Sequence, residues 1–168
     1  MKQITLFALL LLFSVAGFAK DAKERVSKHV TTKGAFMSVT YGQPMKKGRE
    51  IFGGLVPYGK VWRTGADEAT QITFTRGCMF GGRQVTHGTY TLFTIPNKTE
   101  WTIILNSKLG QWGAFDYEKN KAQDYMSDGV GVVSTLAEPL EQFTIEVLDN
   151  GIKMSWDKTS VFVEAKPW

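Results

Sequence analysis

The sequence has a single cysteine, Cys78, and two histidines, His29 and His87. One cysteine excludes an internal disulfide and a structural zinc site built on several thiolates. The scarcity of histidine closes most routes to acid–base chemistry. A Ser-His-Asp triad would have to use His87, and nothing in the sequence pairs it with a serine. There is no Gly-x-Ser-x-Gly elbow, no His-Glu-x-x-His, no Walker loop and no dinucleotide fingerprint. Helical periodicity is poor throughout. The formal net charge of +4 is scattered, with no basic stripe of the kind that tracks phosphates, so no nucleic-acid partner is expected. Long apolar runs are missing as well. The run from Ile4 to Phe13 is shorter than the ~20 residues of a spanning helix.

That run belongs instead to a leader. Lys2 precedes it, and Gly17 and Ala19 form a small-x-small site behind it, the pattern of a secretory signal peptide over residues 1–19. The mature chain is expected to be exported, periplasmic or secreted, without a transmembrane segment. Its length suits one domain with its own core. Lys20, Lys23, Arg25 and Lys28 are interrupted by Asp21 and Glu24, and residues 20–34 read as a mobile, solvated segment ahead of a single domain over 35–168. Cys78 reads as a packed small hydrophobe.

From Ala35 onward the chain alternates with the period of β-strands. Ile72 and Phe74 share a face, as do Tyr90 with Leu92, Phe93 with Ile95, and Trp101 with Ile103 and Leu105. Phe143, Ile145 and Val147 repeat the pattern, and Ile152, Met154 and Trp156 follow. Asn150-Gly151 between the last two runs is a strong hairpin signal. Gly81-Gly82 and Pro96–Thr99 mark two further turns. Residues 117–124 are polar and read as a loop or a short helical turn. The prediction is an all-β fold, a mostly antiparallel β-sandwich of jelly-roll or immunoglobulin-like type, with one long ordered loop. That loop runs from Pro44 to Ala69, with room for a short strand over Lys47–Phe52. Its length points to function, because connections beyond about a dozen residues are uncommon in compact domains.

Within it, Gly48-Arg-Glu-Ile-Phe-Gly53 and Leu55-Val-Pro-Tyr-Gly-Lys-Val-Trp-Arg-Thr-Gly-Ala-Asp-Glu-Ala-Thr70 resemble the signature of a bacterial family, the domain of unknown function 2911, frequent in Bacteroidetes and their relatives. Gly88–Pro96, Glu100–Asn106 and Gln111-Trp-Gly-Ala-Phe115 continue the resemblance over nearly all of the mature chain. It implies an exported single domain and carries no catalytic residues with it. Two positions depart from the family pattern: Asp67 stands where Asn is usual, and His87 where a small residue is usual.

The chemistry of the loop points to binding. Trp62 beside Arg63 offers a flat apolar surface and a fork of donors, suited to a sugar face, a carboxylate or a planar ligand. Glu68 could accept from ligand hydroxyls or neutralise Arg63. Tyr58 belongs to the same loop, and Trp112 with Tyr117 could add a second aromatic wall. The candidate ligand-binding set is therefore Tyr58, Trp62, Arg63, Glu68, Trp112 and Tyr117. The competing reading makes Trp62 a plug of the core and Arg63–Glu68 an ion pair that pins the loop. A glycan hydrolase would need Glu68 to converge with Asp116 or Asp128, since Asp67 and Glu68 point apart on an extended chain. A copper site from Cys78, Met79 and His87 fails on the same alternation, so no metal or cofactor is expected. The function expected is a non-catalytic binding module for a small molecule, glycan or envelope partner. A structural or assembly protein of the envelope is the alternative, a hydrolase the second, and homo-oligomerisation is left open.

Overall fold

The computed structural model describes residues 27–168. The expected signal peptide and residues 20–26 lie outside this range. Strands β1 (Lys28–Lys33), β2 (Met37–Gln43), β3 (Gln71–Phe74), β4 (Cys78–Phe80), β5 (Arg83–Val85), β6 (Gly88–Ile95), β7 (Glu100–Asn106), β8 (Asp124–Leu148) and β9 (Gly151–Pro167) form one antiparallel sheet. Their order is β1-β2-β3-β6-β7-β8-β9-β4-β5. The expected turns fall where the sequence placed them. Gly81-Gly82 joins β4 to β5, Pro96–Thr99 joins β6 to β7, and Asp149-Asn150 joins β8 to β9 with Leu148 opposite Gly151. The polar stretch after residue 116 holds a single helical turn, α1 (Tyr117–Asn120), and a short 3-10 turn over Lys121–Gln123.

The all-β class holds, but two stacked sheets are not what the hydrogen bonds show. The ladder is one continuous sheet that does not close. The cause is the length of its last two strands, 25 residues in β8 and 17 in β9. They run around the core and link what would otherwise be separate layers, and pairing shifts between Thr135 and Leu140 and between Leu140 and Thr144 take up the bend. The far end of β8 returns to the end of β2. There Tyr41 Oη accepts the N–H of Ile145 at 2.8 Å, the N–H of Phe143 reaches the Pro44 carbonyl at 3.0 Å, and Met45 bridges Gln142.

Curling of this sheet puts one face of nearly every strand around a single core. Val39, Tyr41, Ile72, Phe74, Leu92 and Trp101 meet Phe143, Ile145, Met154 and Trp156 there. The opposite face of β6 and β7 carries a smaller cluster, Phe93 and Ile104 with Ala69 and Tyr117. The sequence split between Tyr90–Leu92 and Phe93–Ile95 is thus a split between two cores. Residues 28–33 depart from expectation: they are not a mobile segment but β1, paired along its whole length with β2. Its Val30-Thr31-Thr32 run is β-branched and suits an edge strand. The Lys47–Phe52 stretch forms no strand, only a bridge of Phe52 to Val56.

Candidate functional site

The chain leaves β2 at Gln43 and re-enters the sheet at Gln71, and the intervening segment is tied down residue by residue. Trp62 and Thr94 exchange backbone hydrogen bonds at 2.8 and 3.0 Å. Ala66 N–H donates to the Gly42 carbonyl at 3.2 Å, Thr70 N–H to the Arg63 carbonyl at 3.1 Å, and Ala69 N–H to the Gln111 carbonyl at 2.9 Å. The turn can lie this close to β2 because Gly42 has no side chain; a Cβ there would stand 2.3 Å from the Ala66 oxygen.

Two residues of the turn hold left-handed backbones. Thr64 has φ +57° and Asp67 φ +62°. For a β-branched residue this is strained, and it persists only where the surroundings over-determine it. They do here. Thr64 is fully buried, its hydroxyl pairs with that of Thr94 at 3.1 Å, and its carbonyl accepts from Thr70 Oγ1 at 2.7 Å. Asp67 accepts the backbone N–H of Ser27 at 2.9 Å.

This scaffold sends Trp62 inward and leaves Arg63 at the edge of a cleft. The Trp62 ring is 8% exposed and packs among Phe52, Trp101, Phe143 and Trp156. Arg63 is half-buried, and its Nε is shielded from solvent with no hydrogen-bond partner among the described residues. Burial pulls the Arg63 pKa below its ordinary value, and the charge of Asp67 opposes that shift. The cleft beside it has a volume of about 540 Å³. Trp62, Trp156, Val56 and Leu55 line it, as do the basic Lys28 and Lys47. A smaller cavity of about 300 Å³ also touches Arg63, with Lys60, Val61 and Phe115 in its lining.

A family model described as a protein of unknown function, DUF2911, matches residues 22–165. The chain belongs to the DUF2911 family. No curated protein and no solved structure matches it. The DUF2911 match takes in the whole cleft and all but the last residues of the sheet.

Of the six residues singled out in this DUF2911 sequence, the fold brings Trp62 and Arg63 to the cleft and sends four elsewhere. Tyr58 is exposed, 38%, near the tip of the loop and lines neither cavity. Glu68 turns to β1, where its carboxylate stands 3.1 Å from His29 Nε2. Thus the carboxylate whose charge acts on Arg63 is Asp67. Trp112 is half-buried and bridges Glu68 through the backbone. Tyr117 is buried against Phe93 in the smaller cluster, donating its hydroxyl to Asp124 Oδ2 at 2.7 Å. Burial first, then that hydrogen bond, raises its pKa above the ordinary phenol range. The Tyr117 ring therefore lies on the other face of the sheet from the cleft, and Trp112 does not line the cleft.

The other sequence candidates also scatter. Asp116 pairs with Lys119 at 2.9 Å and Asp128 with Arg83 at 2.7 Å, and neither lines the cleft. Cys78 is fully buried, while His87 is exposed. Sequence reasoning missed Lys28, Lys47 and Trp156 as cleft residues. Lys28 read as part of a solvated segment, Lys47 as the start of a short strand, and Trp156 carried only the alternation of a core strand.

Proposed function

We propose that this DUF2911 chain is an exported, non-catalytic binding module that holds a small molecule in the cleft beside Arg63. The observation that carries this reading is the shielded Arg63 Nε without a partner among the described residues. A donor removed from water and left unsatisfied is costly, and a turn of the side chain toward a ligand acceptor in the cleft would offset that cost. The cleft volume falls in the range of ligand sites, with apolar walls and a few placed polar groups. The pinned, strained turn supports it further, since such turns hold a side chain in place before its ligand arrives. Residues 1–19 support export, to the periplasm or beyond.

The structural reading has its own support in the four rings packed around Trp62, which make the loop part of the core. Thermal unfolding of the purified protein against amino acids, glycans, organic acids, metal ions and cell-wall fragments separates the two. A ligand that binds only the folded state raises Tm with the logarithm of its concentration over Kd. The expected result is a shift that disappears in a folded Arg63→Ala variant. Silence across the whole panel would leave the loop as packing alone.

A further inference from the structure

The charge around the cleft narrows its ligand. We propose that the cleft takes a small oxyanion, a carboxylate or phosphate carried on a compact apolar body, and that Arg63 is the residue that grips it. This deepens the binding reading above and rests on it.

Among the described residues, four basic ones line the cleft, Lys28, Lys47, Arg49 and Arg63, against one carboxylate, Asp67. Their roles differ. Arg49 is spent on the backbone: its Nε donates to the Lys46 carbonyl at 2.9 Å and its other end reaches Met45. It braces the 45–49 turn and adds only its field. Lys28 and Lys47 are exposed at the rim, where salt screens them. Arg63 alone among the four combines a half-buried side chain with a shielded Nε that lacks a partner among the described residues. The planar fork of arginine matches a carboxylate or phosphate through two parallel hydrogen bonds. An oxyanion at the cleft edge would offset the desolvated charge, and a turn of the Arg63 side chain would bring the orphaned Nε to it. A neutral hydroxyl would do only the second.

The aromatic residues argue the same way. A sugar needs an open ring face to lie on. Trp62 and Trp156 are 8% and 1% exposed, and their faces are turned to each other, 6.2 Å apart and 16° from parallel. What little they offer the cleft is not a platform for a glycan. Rings presented edge-on expose the positive rim of their quadrupole, which tolerates an anion. Leu55, Val56 and Met45 supply the apolar side on which the body of the ligand would rest.

The test is an NMR titration of the purified protein with benzoate, phenyl phosphate and neutral benzamide, three probes with one ring and different heads. Benzoate or phenyl phosphate should bind at least about tenfold more tightly than benzamide, and the stronger of the two identifies the head group. The preference should vanish in Arg63→Gln and return in part in Arg63→Lys. Leu55→Glu puts a negative charge on the apolar side of the cleft, so it should weaken the anions by more than it weakens benzamide; it serves also if Arg63→Gln does not fold. Equal binding of all three probes would overturn the oxyanion while leaving the cleft. So would an anion preference that survives Arg63→Gln and disappears in salt, which marks diffuse surface charge. Failure of all three probes to bind overturns the oxyanion too. The cleft reading falls with it only if the wider thermal panel is also silent.

Discussion

The indole of Trp62 stacks on that of Trp156 with centroids 6.2 Å apart and planes 16° from parallel. A residue of the long loop is thereby fixed to the last strand of the sheet, nearly a hundred residues further along the chain. Phe52, Trp101 and Phe143 approach Trp62 at 5.1 to 6.0 Å in edge-to-face fashion. Removing this ring would leave a large void among side chains that cannot follow it. Trp62→Ala is expected to lose ~3–5 kcal/mol, a large part of the stability of a domain this size. Urea unfolding reads the loss directly. An unchanged midpoint would show that the loop is not part of the core.

Gly42→Ala tests the seat of the turn. The added methyl would meet the Ala66 carbonyl oxygen at 2.3 Å and its carbon at 3.0 Å, both backbone atoms. The turn cannot step aside without giving up the Ala66–Gly42 hydrogen bond, and the buried Thr64–Thr94 pair holds it from behind. Overpacking of this kind costs roughly 1–3 kcal/mol. The variant should stay folded, with faster amide exchange at Ala66 and weaker binding in the cleft. Wild-type exchange at Ala66 would mean that the contact relaxes elsewhere.

What the sequence disclosed was local, and what it hid was brought together by the fold. Alternation and turn chemistry exposed β6, β7, the Asn150-Gly151 hairpin and the two-faced burial of Tyr90–Leu92 and Phe93–Ile95. The first half of β8 escaped because its pattern is inverted. Gly129 and Gly131 face the core, where a Cβ would strike Met126 and Val161, while Val130 and Val132 are 38% and 60% exposed. An apolar-in rule reads that stretch backwards. β1 escaped because an edge strand needs little apolar signal. At the site, the density of aromatic and charged residues in the loop pointed to Trp62 and Arg63, which are adjacent and both line the cleft. It also drew in Glu68, but the left-handed backbone at Asp67 turns the chain there and sends Glu68 to His29. Lys28, Lys47 and Trp156 reach the cleft from three separate parts of the chain, and no window of sequence shows them together.

Tyr41→Phe examines how the far end of β8 is held. The phenol oxygen accepts the buried N–H of Ile145 at 2.8 Å and an N–H of Gln43 at 3.2 Å. Loss of the hydroxyl leaves the Ile145 donor without an acceptor in a dry environment, at a cost of about 1–3 kcal/mol. Hydrogen exchange should quicken at Ile145 and Phe143 and stay slow in the β6–β7 hairpin. Uniform acceleration across the sheet would instead mean that this weld limits global unfolding.

Cys78 offers a prediction about pH. It is fully buried in the main core, and burial pushes its thiol up to about 11 from an ordinary 9.0. Because the thiolate is the reactive form, the folded protein should resist iodoacetamide near pH 8 and react quickly once unfolded in urea. For the same reason the chain should form no disulfide-linked dimer on a non-reducing gel. The shift also acts on stability. The folded state holds this proton more tightly than the unfolded chain does, so the contribution is whole below about pH 9 and is lost as pH rises toward 11. The difference between the wild type and Cys78→Ala isolates the thiol and is the quantity to follow. The wild type should lose more stability than the variant between pH 9 and 11. Equal losses, or labelling of the folded protein at the unfolded rate, would place the thiol in contact with water.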